Sequence, residues 1–260
     1  LSSITECPLR WFLSHEVHAD VSRSVALSFG SVIHELADAV ARGEIPADEA
    51  VLGEYLDRVW AEVGYAAQWQ SKTERAEAAA ALRRFLNWHS GRPDRHLIAS
   101  EAGFEVTIPF GSRGIHVRGS FDRVEVDVEG AVHIVDLKTQ RQSEPAAKLA
   151  SHAQLGMYQV AVQHGALDDL DGAERIARND MGPVVGGAEL VLLRLGKAEL
   201  PTVQEQAPLD PDNPWLQRSL EAADLRIRQE EFTAIVSTRC DNCSFRAACP
   251  AQPEGQVVVT

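Results

Sequence analysis

Apolar and polar positions follow a strand-like pattern in the middle of the chain, where they predict a buried strand. His133–Gln140 reads His-Ile-Val-Asp-Leu-Lys-Thr-Gln, and successive side chains on a strand point to opposite faces of a sheet. Asp136 and Lys138 therefore share one face, while the apolar residues occupy both faces. Such a run is typical of an internal strand. An acid and a base at its end are expensive to desolvate unless they pair or hold a metal.

Two alternating segments before this strand predict a β-hairpin. Glu101–Phe110 and Arg113–Val128 are joined by Gly111-Ser112, a short glycine-containing connection typical of hairpins. The even-numbered positions near the end of the second segment are valines, so Asp122 is expected on the inward side. Glu101 opens the first segment, where the alternatives are contact with the acidic centre and a surface role, and we expect the surface role. Two inward carboxylates on neighbouring strands, one of them beside a lysine, are the groups that a divalent cation and an activated water require.

Helical periodicity is found on both sides of these strands. The predicted helices are Ser2–His15, Ser28–Arg42, Pro46–Gly64, Lys72–Ser90, Pro145–His164 and Asn213–Glu231. A further apolar strand is predicted at Ala188–Leu195, and Leu167–Gly186 is expected to be an exposed loop or insert. Gln154 and Tyr158 are four residues apart and so lie on one face of their helix. The pattern predicts an α/β fold with a central mixed sheet, flanking helices and a helical insert.

The length is most simply that of a single domain covering residues 1–260, a size that one hydrophobic core supports. We expect a helical part at 28–95, a catalytic α/β core at 98–200, and contact between residues 1–15 and 236–250. The sequence opens at Leu1 without a charged-then-apolar leader, so we interpret it as the C-terminal piece of a longer protein. No stretch has the ~18 consecutive apolar residues of a membrane helix, and a cytoplasmic location is expected.

Charge restricts the ways in which this chain can bind nucleic acid. The formal net charge is −13, which argues against binding by bulk attraction, because affinity for phosphates normally comes from clustered Lys and Arg. The objection weakens if a partner motor delivers the nucleic acid and if part of the acidity forms metal sites. A Gly-x4-Gly-Lys-Ser/Thr loop is absent, which excludes a nucleotide-driven motor within these residues.

The four cysteines are distributed unevenly along the chain. Cys7 opens it, and Cys240, Cys243 and Cys249 lie within ten residues near its end. A metal centre, unpaired structural cysteines and disulfides are the alternatives, and a large chain without an export signal favours a reducing compartment over disulfides. The clustered thiols, with Cys7 as a fourth if the two ends meet, suit either zinc or a 4Fe-4S cluster. Their spacing does not distinguish iron from zinc.

Four short motifs collect the polar residues at candidate site positions, in the order helix, strand, strand, helix. They are Gly30-x3-His34, Gly119-x2-Asp122-Arg123, Asp136-x-Lys138 and Gln154-x3-Tyr158. In this order they resemble the RecB-like branch of the PD-(D/E)xK nuclease superfamily. The one-plus-three cysteine arrangement looks like the iron–sulfur staple of the AddB and AdnAB helicase–nucleases and of their CRISPR-adaptation relatives. The resemblance spans about residues 1–250 and implies a restriction-endonuclease-like core.

The pattern departs from the superfamily at two points. The acid position before Lys138 is Asp136 rather than Glu, and the superfamily accepts either acid there. Ser120-Phe121-Asp122 replaces the Pro-Asp expected in front of the second motif. Both variations occur within the RecB-like branch. Every catalytic position that we can match is present, so the resemblance implies an active nuclease.

The resemblance also implies a role for each site residue. The catalytic residues would be Asp122, Asp136, Lys138, Gln154 and Tyr158, with Lys138 positioning or deprotonating a water, or stabilising negative charge. The ligands of a Mg²⁺ or Mn²⁺ ion would be His34, Asp122, Asp136 and the backbone carbonyl of Leu137. A 4Fe-4S cluster on Cys7, Cys240, Cys243 and Cys249 would have a structural role, joining the two ends of the domain.

The implied function is that of a metal-dependent DNA nuclease domain in a helicase–nuclease that resects double-strand breaks for recombinational repair. Its substrate would be single-stranded DNA fed by a covalently linked or partner motor. A second helicase–nuclease subunit and a bacterial, nucleoid-associated location are further expectations. The alternatives are a DNA-end-binding module that has lost catalysis and a zinc-stapled interaction domain of a repair complex. Manganese-dependent cleavage would exclude the first, and iron–sulfur absorbance would exclude the second.

Overall fold

The structure is a computed structural model that describes residues 1–19, 29–63, 68–110, 113–180, 182–197 and 199–256. The predicted helix start at Ser28, the helix end at Gly64 and the Gly111-Ser112 turn lie outside these residues. The chain divides into two compact units. The larger unit is Ala26–Leu209, and the smaller combines Leu1–Val25 with Asp210–Thr260.

A five-stranded mixed sheet forms the centre of the larger unit. The strands of the chain are β1 (Arg95–Phe110), β2 (Arg113–Asp127), β3 (Val132–Lys138), β4 (Arg178–Asn179), β5 (Gly182–Pro183), β6 (Val185–Lys197) and β7 (Leu200–Gln206). The order in the sheet is β1-β2-β3-β6-β7, and β4 and β5 form a separate two-stranded ribbon. Only the β3–β6 pair in the large sheet is parallel. This mixed sheet confirms the predicted α/β class.

β3 is an internal strand with a different hydrophobic core on each face. Val132 and Ile134 belong to one cluster, and Val135 and Leu137 belong to the other, as the two-residue period of a strand requires. All four are buried, and each such side chain contributes roughly 1.5–3 kcal/mol on leaving water. Packing on both faces therefore fixes the position of the polar residues at the end of β3.

Helices cover both faces of this sheet. In chain order they are α3 (Phe29–Ala41), α4 (Glu49–Trp60), α5 (Gln68–Ser90), α6 (Ala146–Leu149) and α7 (Ala153–Gln163), after α1 (Ser2–Glu6) and α2 (Pro8–His15) of the smaller unit. Helices α3, α4 and α5 share a core with Val135 and Leu137. On the opposite face, α7 shares a core with Val132 and Ile134. Within the described residues, no helix is long and apolar enough to cross a membrane.

Several predicted element boundaries are wrong. The helix predicted at Pro145–His164 is two helices, because the backbone at His152 is extended and its ring nitrogen caps α7 by accepting from the Leu155 N–H at 3.4 Å. The loop predicted at Leu167–Gly186 carries β4, β5 and two buried apolar anchors, Leu167 and Ile176. Strand β7 has no clear two-residue pattern and was not predicted.

The smaller unit brings the two ends of the chain together. It contains α1, α2 and α8 (Trp215–Arg228). The rings of Phe12 and Phe232 stack with centroids 4.5 Å apart, and Arg239 pairs with Glu6 at 2.6 Å. Aromatic contacts of this kind contribute about 0.5–1.5 kcal/mol beyond the buried area. The N-terminal helices are therefore packed against the segment that precedes the cysteine cluster.

A buried network of charges lies on β2 and β6. Glu125 is fully buried and pairs with Arg123 at 2.6 Å and with Arg92 at 2.9 Å. Arg92 also pairs with Glu189 at 2.7 Å and lies 4.5 Å from the centre of the Trp88 ring. Removing one member of such a network leaves an uncompensated buried charge, which destabilises a protein by about 3–5 kcal/mol. We interpret this network as structural.

His89 gives a prediction about stability and pH. Its ring stacks on Phe85 with centroids 5.6 Å apart, and its Nδ1 is buried. Burial, with a contribution from Arg123, lowers the pKa of His89 below its ordinary 6.5. The unfolded chain therefore binds more protons just below this pH, so the stabilising contribution of neutral His89 is present above pH 6.5 and is lost as the pH falls.

We expect His89→Gln to become more stable relative to the wild type as the pH is lowered from about 7.5 to about 5.5. Urea unfolding of both proteins across this range measures the difference. A difference between His89→Gln and the wild type that stays constant across this range would show that burial does not influence the protonation of His89.

Candidate active site

Four predicted site residues form one hydrogen-bonded group at the end of β3. The Nζ of Lys138 lies 2.7 Å from Oδ2 of Asp136 and donates to Oε1 of Gln154 at 3.2 Å. The amide nitrogen of Gln154 donates to Oδ1 of Asp136 at 2.8 Å and to the Tyr158 hydroxyl oxygen at 2.9 Å. The amide thus presents its oxygen to the amine and its nitrogen to the carboxylate. This arrangement fixes the orientation of both the acid and the lysine.

Asp122 is held beside the same strand by a different contact. Its Oδ2 accepts a hydrogen bond of 2.8 Å from the backbone N–H of Leu137, which follows Asp136 in β3. The same oxygen lies 3.6 Å from Nδ1 of His34 on α3. The structure therefore brings Asp122 to both a helix and the neighbouring strand. The Leu137 N–H contact also fixes the distance between the two acid-bearing strands.

The strand alternation used to predict an inward Asp122 does not hold over its whole length. Phe121 and Val124 belong to the same hydrophobic cluster although they are three residues apart, so the two-residue period is interrupted between them. The Phe121 ring packs against Tyr158 on α7, whereas Asp122 lies close to His34 on α3. Asp122 is nevertheless largely buried, with 13% of its side chain exposed.

Glu101 joins His34 and Asp122, the alternative that the sequence left open beside a surface role. Its Oε1 lies 3.5 Å from Nδ1 of His34. Within the described part of the chain, these three residues form the one group of three or more potential metal-ligand side chains whose ligand atoms all lie within 4.8 Å of one another. Asp136 is not a member of that group. Glu101 is exposed, as the expected surface role requires, with 39% of its side chain accessible, but its carboxylate also borders His34 and Asp122.

The register of the hairpin could have identified Glu101. Phe110 pairs with Arg113, the register that a two-residue connection imposes. Counting back along both strands from this pair places Glu101 opposite Asp122, between the observed pairs Ser100–Arg123 and Ala102–Phe121. The sequence contained this signal, but alternation alone did not reveal it.

Burial shapes the electrostatics of the acids. It raises the pKa of Asp136 to about 6, although the nearby Lys138 acts in the opposite direction. Burial also raises the pKa of Asp122, while His34 and the Leu137 N–H lower it. Each raised pKa shows that the ionised carboxylate is short of compensating charge in this environment. A bound cation would supply that charge.

Tyr158 and His152 complete the surroundings of Asp136. Burial raises the pKa of the Tyr158 phenol, so the phenol keeps its proton at neutral pH. Burial lowers the pKa of His152, against the attraction of Asp136. His152 was missed because a histidine that caps a helix carries no distinctive sequence pattern. Both groups are therefore uncharged polar neighbours of the acid near pH 7.

An open groove lies beside the acids on the side of α3. Its volume is about 670 Å³. The residues that line it are Gly30, Ser31, His34, Glu35, Asp38, Arg42 and Glu101. Gly30 and His34 are one helical turn apart and so share a face of α3. The groove gives a ligand access to His34 and Glu101.

All four cysteines are free, half-buried and located in the smaller unit. A single tetrahedral zinc, with Zn–S bonds of about 2.3 Å, would hold its thiolates about 3.8 Å apart. Among the residues that the structure describes, His34, Glu101 and Asp122 form the only group of three or more potential ligands whose ligand atoms lie within 4.8 Å of one another. This group contains no cysteine. An iron–sulfur cluster holds its thiolates further apart than one ion does, because each binds a different iron. The 4Fe-4S cluster therefore stays a prediction.

The mixed sheet flanked by helices is consistent with a restriction-endonuclease-like α/β fold, and His34, Glu101 and Asp122 offer potential ligand atoms within 4.8 Å of one another. The sequence matches the PD-(D/E)XK nuclease superfamily over residues 1–250, and the chain belongs to that superfamily. Its members are typically metal-dependent nucleases. This result confirms the superfamily predicted from the four motifs, while the AddB and AdnAB type stays a prediction.

A comparison with curated protein sequences gives no match. Among solved structures, one titled "Crystal structure of SSO0001" is similar with 13% sequence identity and a TM-score of 0.38, over 91% of this chain and 92% of that one.

Proposed function

We propose that this chain is the metal-dependent DNA nuclease domain of a helicase–nuclease and hydrolyses phosphodiester bonds of single-stranded DNA. The observation that supports this most strongly is the contact of Asp136, Lys138 and Gln154 beside Asp122 and His34. An acid, an amine and a second acid held at one strand end are suited to phosphodiester hydrolysis with a cation.

The residues present fit a divalent cation. His34 and Asp122 offer an imidazole nitrogen and a carboxylate oxygen 3.6 Å apart, and the ionised form of buried Asp136 is short of compensating charge. We propose His34, Asp122, Asp136 and the Leu137 carbonyl as ligands. Oxygen donors suit Mg²⁺ and Mn²⁺, and the imidazole favours Mn²⁺. The cation, when bound, supplies Lewis-acid stabilisation of phosphate charge and lowers the pKa of a water.

Lys138 orients the attacking water or a phosphate oxygen. Its ammonium group has three N–H donors, and the contacts with Asp136 and Gln154 occupy two of them. The third is available to a water or to the substrate phosphate. Gln154 keeps the Nζ of Lys138 in place, and Tyr158 accepts from the Gln154 amide. The phenol proton of Tyr158 then remains available for an acceptor on the DNA backbone.

The net charge of −13 opposes DNA binding by bulk attraction, and delivery of the DNA by a motor would remove this objection. A chain of this charge has weak general affinity for phosphates, so a linked or partner helicase would supply the strand. We propose a bacterial, cytoplasmic complex with a second helicase–nuclease subunit that resects double-strand breaks for recombinational repair. The 4Fe-4S cluster on the four cysteines would stabilise the smaller unit.

Removal of the metal tests this proposal. The full chain, with Mn²⁺ or Mg²⁺, should shorten a single-stranded DNA oligonucleotide labelled at one end and should cleave a blunt duplex of the same sequence more slowly. Excess EDTA should abolish cleavage, and restored Mn²⁺ should recover it. Binding of the oligonucleotide without cleavage under every metal condition would contradict the proposal and favour a DNA-end-binding module.

A further inference from the structure

Glu101 lies directly across the hairpin from Asp122. The pairs Ser100–Arg123 and Ala102–Phe121 flank the two acids in the antiparallel register of β1 and β2. Like charges in opposite positions of an antiparallel pair destabilise a sheet. Solvent screens only part of the repulsion between the two carboxylates, because Asp122 is mostly buried. A positively charged group between them would offset the rest.

The backbone at Glu101 has an unusual conformation. Its φ is +48°, in the left-handed region where an L side chain is crowded against the backbone. A residue other than glycine keeps such a conformation only when its surroundings enforce it. In this conformation the Glu101 carboxylate lies beside His34 and on the edge of the groove.

The distances around His34 match the shell of one ion better than direct hydrogen bonds. Nδ1 of His34 is 3.5 Å from Glu101 and 3.6 Å from Asp122, longer than the roughly 2.7–3.2 Å of an N–H···O bond. Donor atoms that bind one cation at roughly 2.0–2.6 Å lie about 3–5 Å from one another. All three ligand atoms lie within 4.8 Å, so one cation can contact all three.

We propose that Glu101 is a ligand of the cation that His34 and Asp122 bind, supplied from β1 by its left-handed backbone. This inference rests on the proposed function and adds a third strand to the metal centre. The ligand set then includes residues from α3, β1, β2 and β3, so the cation joins the hairpin to both the helix and the strand of Lys138. Cation binding offsets the repulsion between the two opposed acids.

A manganese titration of the full chain tests this assignment without any measurement of activity. Free Mn²⁺ is followed by its electron paramagnetic resonance signal in the wild type, Glu101→Gln and Glu105→Gln. Glu105 is an exposed acid on the same strand. We expect Glu101→Gln to raise the dissociation constant at least about tenfold, since even indirect partners of metal ligands change affinity by about 10–100-fold. Glu105→Gln should bind like the wild type.

The glutamine variant separates a ligand from a residue that only orients His34. Its side-chain oxygen still accepts a hydrogen bond from an imidazole, but it lacks the negative charge. Affinity within about twofold of the wild type in Glu101→Gln would overturn the proposal and leave Glu101 an orienting role. Loss of a second bound Mn²⁺ per chain, with the first unchanged, would also overturn it, because it would assign Glu101 to a separate ion.

Glu101→Gly provides a second readout, the melting temperature with and without Mn²⁺, in a variant whose folding should not be impaired. Glycine adopts φ +48° without crowding, and the variant lacks the opposed acid. Its melting temperature without metal should be at least that of the wild type, whereas the increase caused by Mn²⁺ should shrink. A lower metal-free melting temperature together with a full Mn²⁺ shift would overturn the proposal. Tight Mn²⁺ binding by a wild type that cleaves no DNA would refute the nuclease function but not this ligand.

Discussion

Replacement of Asp136 by asparagine is expected to reduce Mn²⁺-dependent DNA cleavage at least about a thousandfold while the protein remains folded. The carboxylate faces Lys138 and Gln154 at 2.7 and 2.8 Å, and an amide in its place cannot balance a cation or the ammonium group. Metal-assisted catalysis is worth several kcal/mol, and each 1.36 kcal/mol corresponds to about tenfold in rate. Cleavage of a labelled single-stranded oligonucleotide measures the loss.

The stability of Asp136→Asn should equal or exceed that of the wild type near pH 7. Burial raises the pKa of Asp136 to about 6, so ionisation above this pH disfavours the folded state. The stabilising contribution of a raised pKa is present below the ordinary value of 3.8 and is lost as the pH rises through about 6. Asparagine does not ionise, so Asp136→Asn does not lose this stability as the pH rises.

Glu125→Gln is the matched control. Glu125 is another fully buried carboxylate of the same sheet, but it contacts Arg92 and Arg123 rather than the proposed catalytic residues. We expect this variant to lose about 3–5 kcal/mol of stability and to retain cleavage per folded molecule. Cleavage close to wild type in Asp136→Asn, or an equal loss in both variants, would contradict the catalytic role of Asp136.

The second large effect is expected at Cys7. Protein purified without oxygen should show the visible absorbance of an iron–sulfur cluster if the four cysteines bind one, and Cys7→Ser should lose that absorbance. Binding of a structural metal centre can supply on the order of 10 kcal/mol of folding free energy. The smaller unit of Cys7→Ser should therefore become sensitive to protease, as fragment masses after brief digestion would show.

Two further variants make the experiment at the cysteines specific. Cys243→Ser should reproduce the effect of Cys7→Ser, because both residues would bind the same cluster. Ser244→Ala, a change next to Cys243 in the chain, should keep the absorbance and the protease resistance. A wild type that contains zinc and shows no visible absorbance would contradict the iron–sulfur cluster.

The sequence predicts the parts of this fold that depend on repeated local patterns. The alternation in β3 correctly places Val135 and Leu137 on one core and Ile134 on the other. The spacing of Gln154 and Tyr158 correctly places them together, since one helical turn separates them and a hydrogen bond of 2.9 Å joins them. These features follow from geometry that every strand or helix shares.

The features that the sequence does not predict depend on single residues and tertiary contacts. The interruption of alternation before Val124 and the left-handed backbone at Glu101 are set by packing and by the opposite strand. The division of α6 from α7 depends on a weak cap from His152. Periodicity averages over several residues, so it is insensitive to one unusual backbone angle or cap.

We propose that His34, Asp122 and the end of β3 hold one divalent cation. The decisive measurement is the anomalous signal of crystals of the full chain, soaked in Mn²⁺ and recorded near the manganese absorption edge. We predict one anomalous peak within roughly 2.0–2.6 Å of ligand atoms of His34, Asp122 and Glu101, with β3 supplying further contacts. A fully soaked crystal with no peak there, or with its strongest peak away from these residues, would contradict the account.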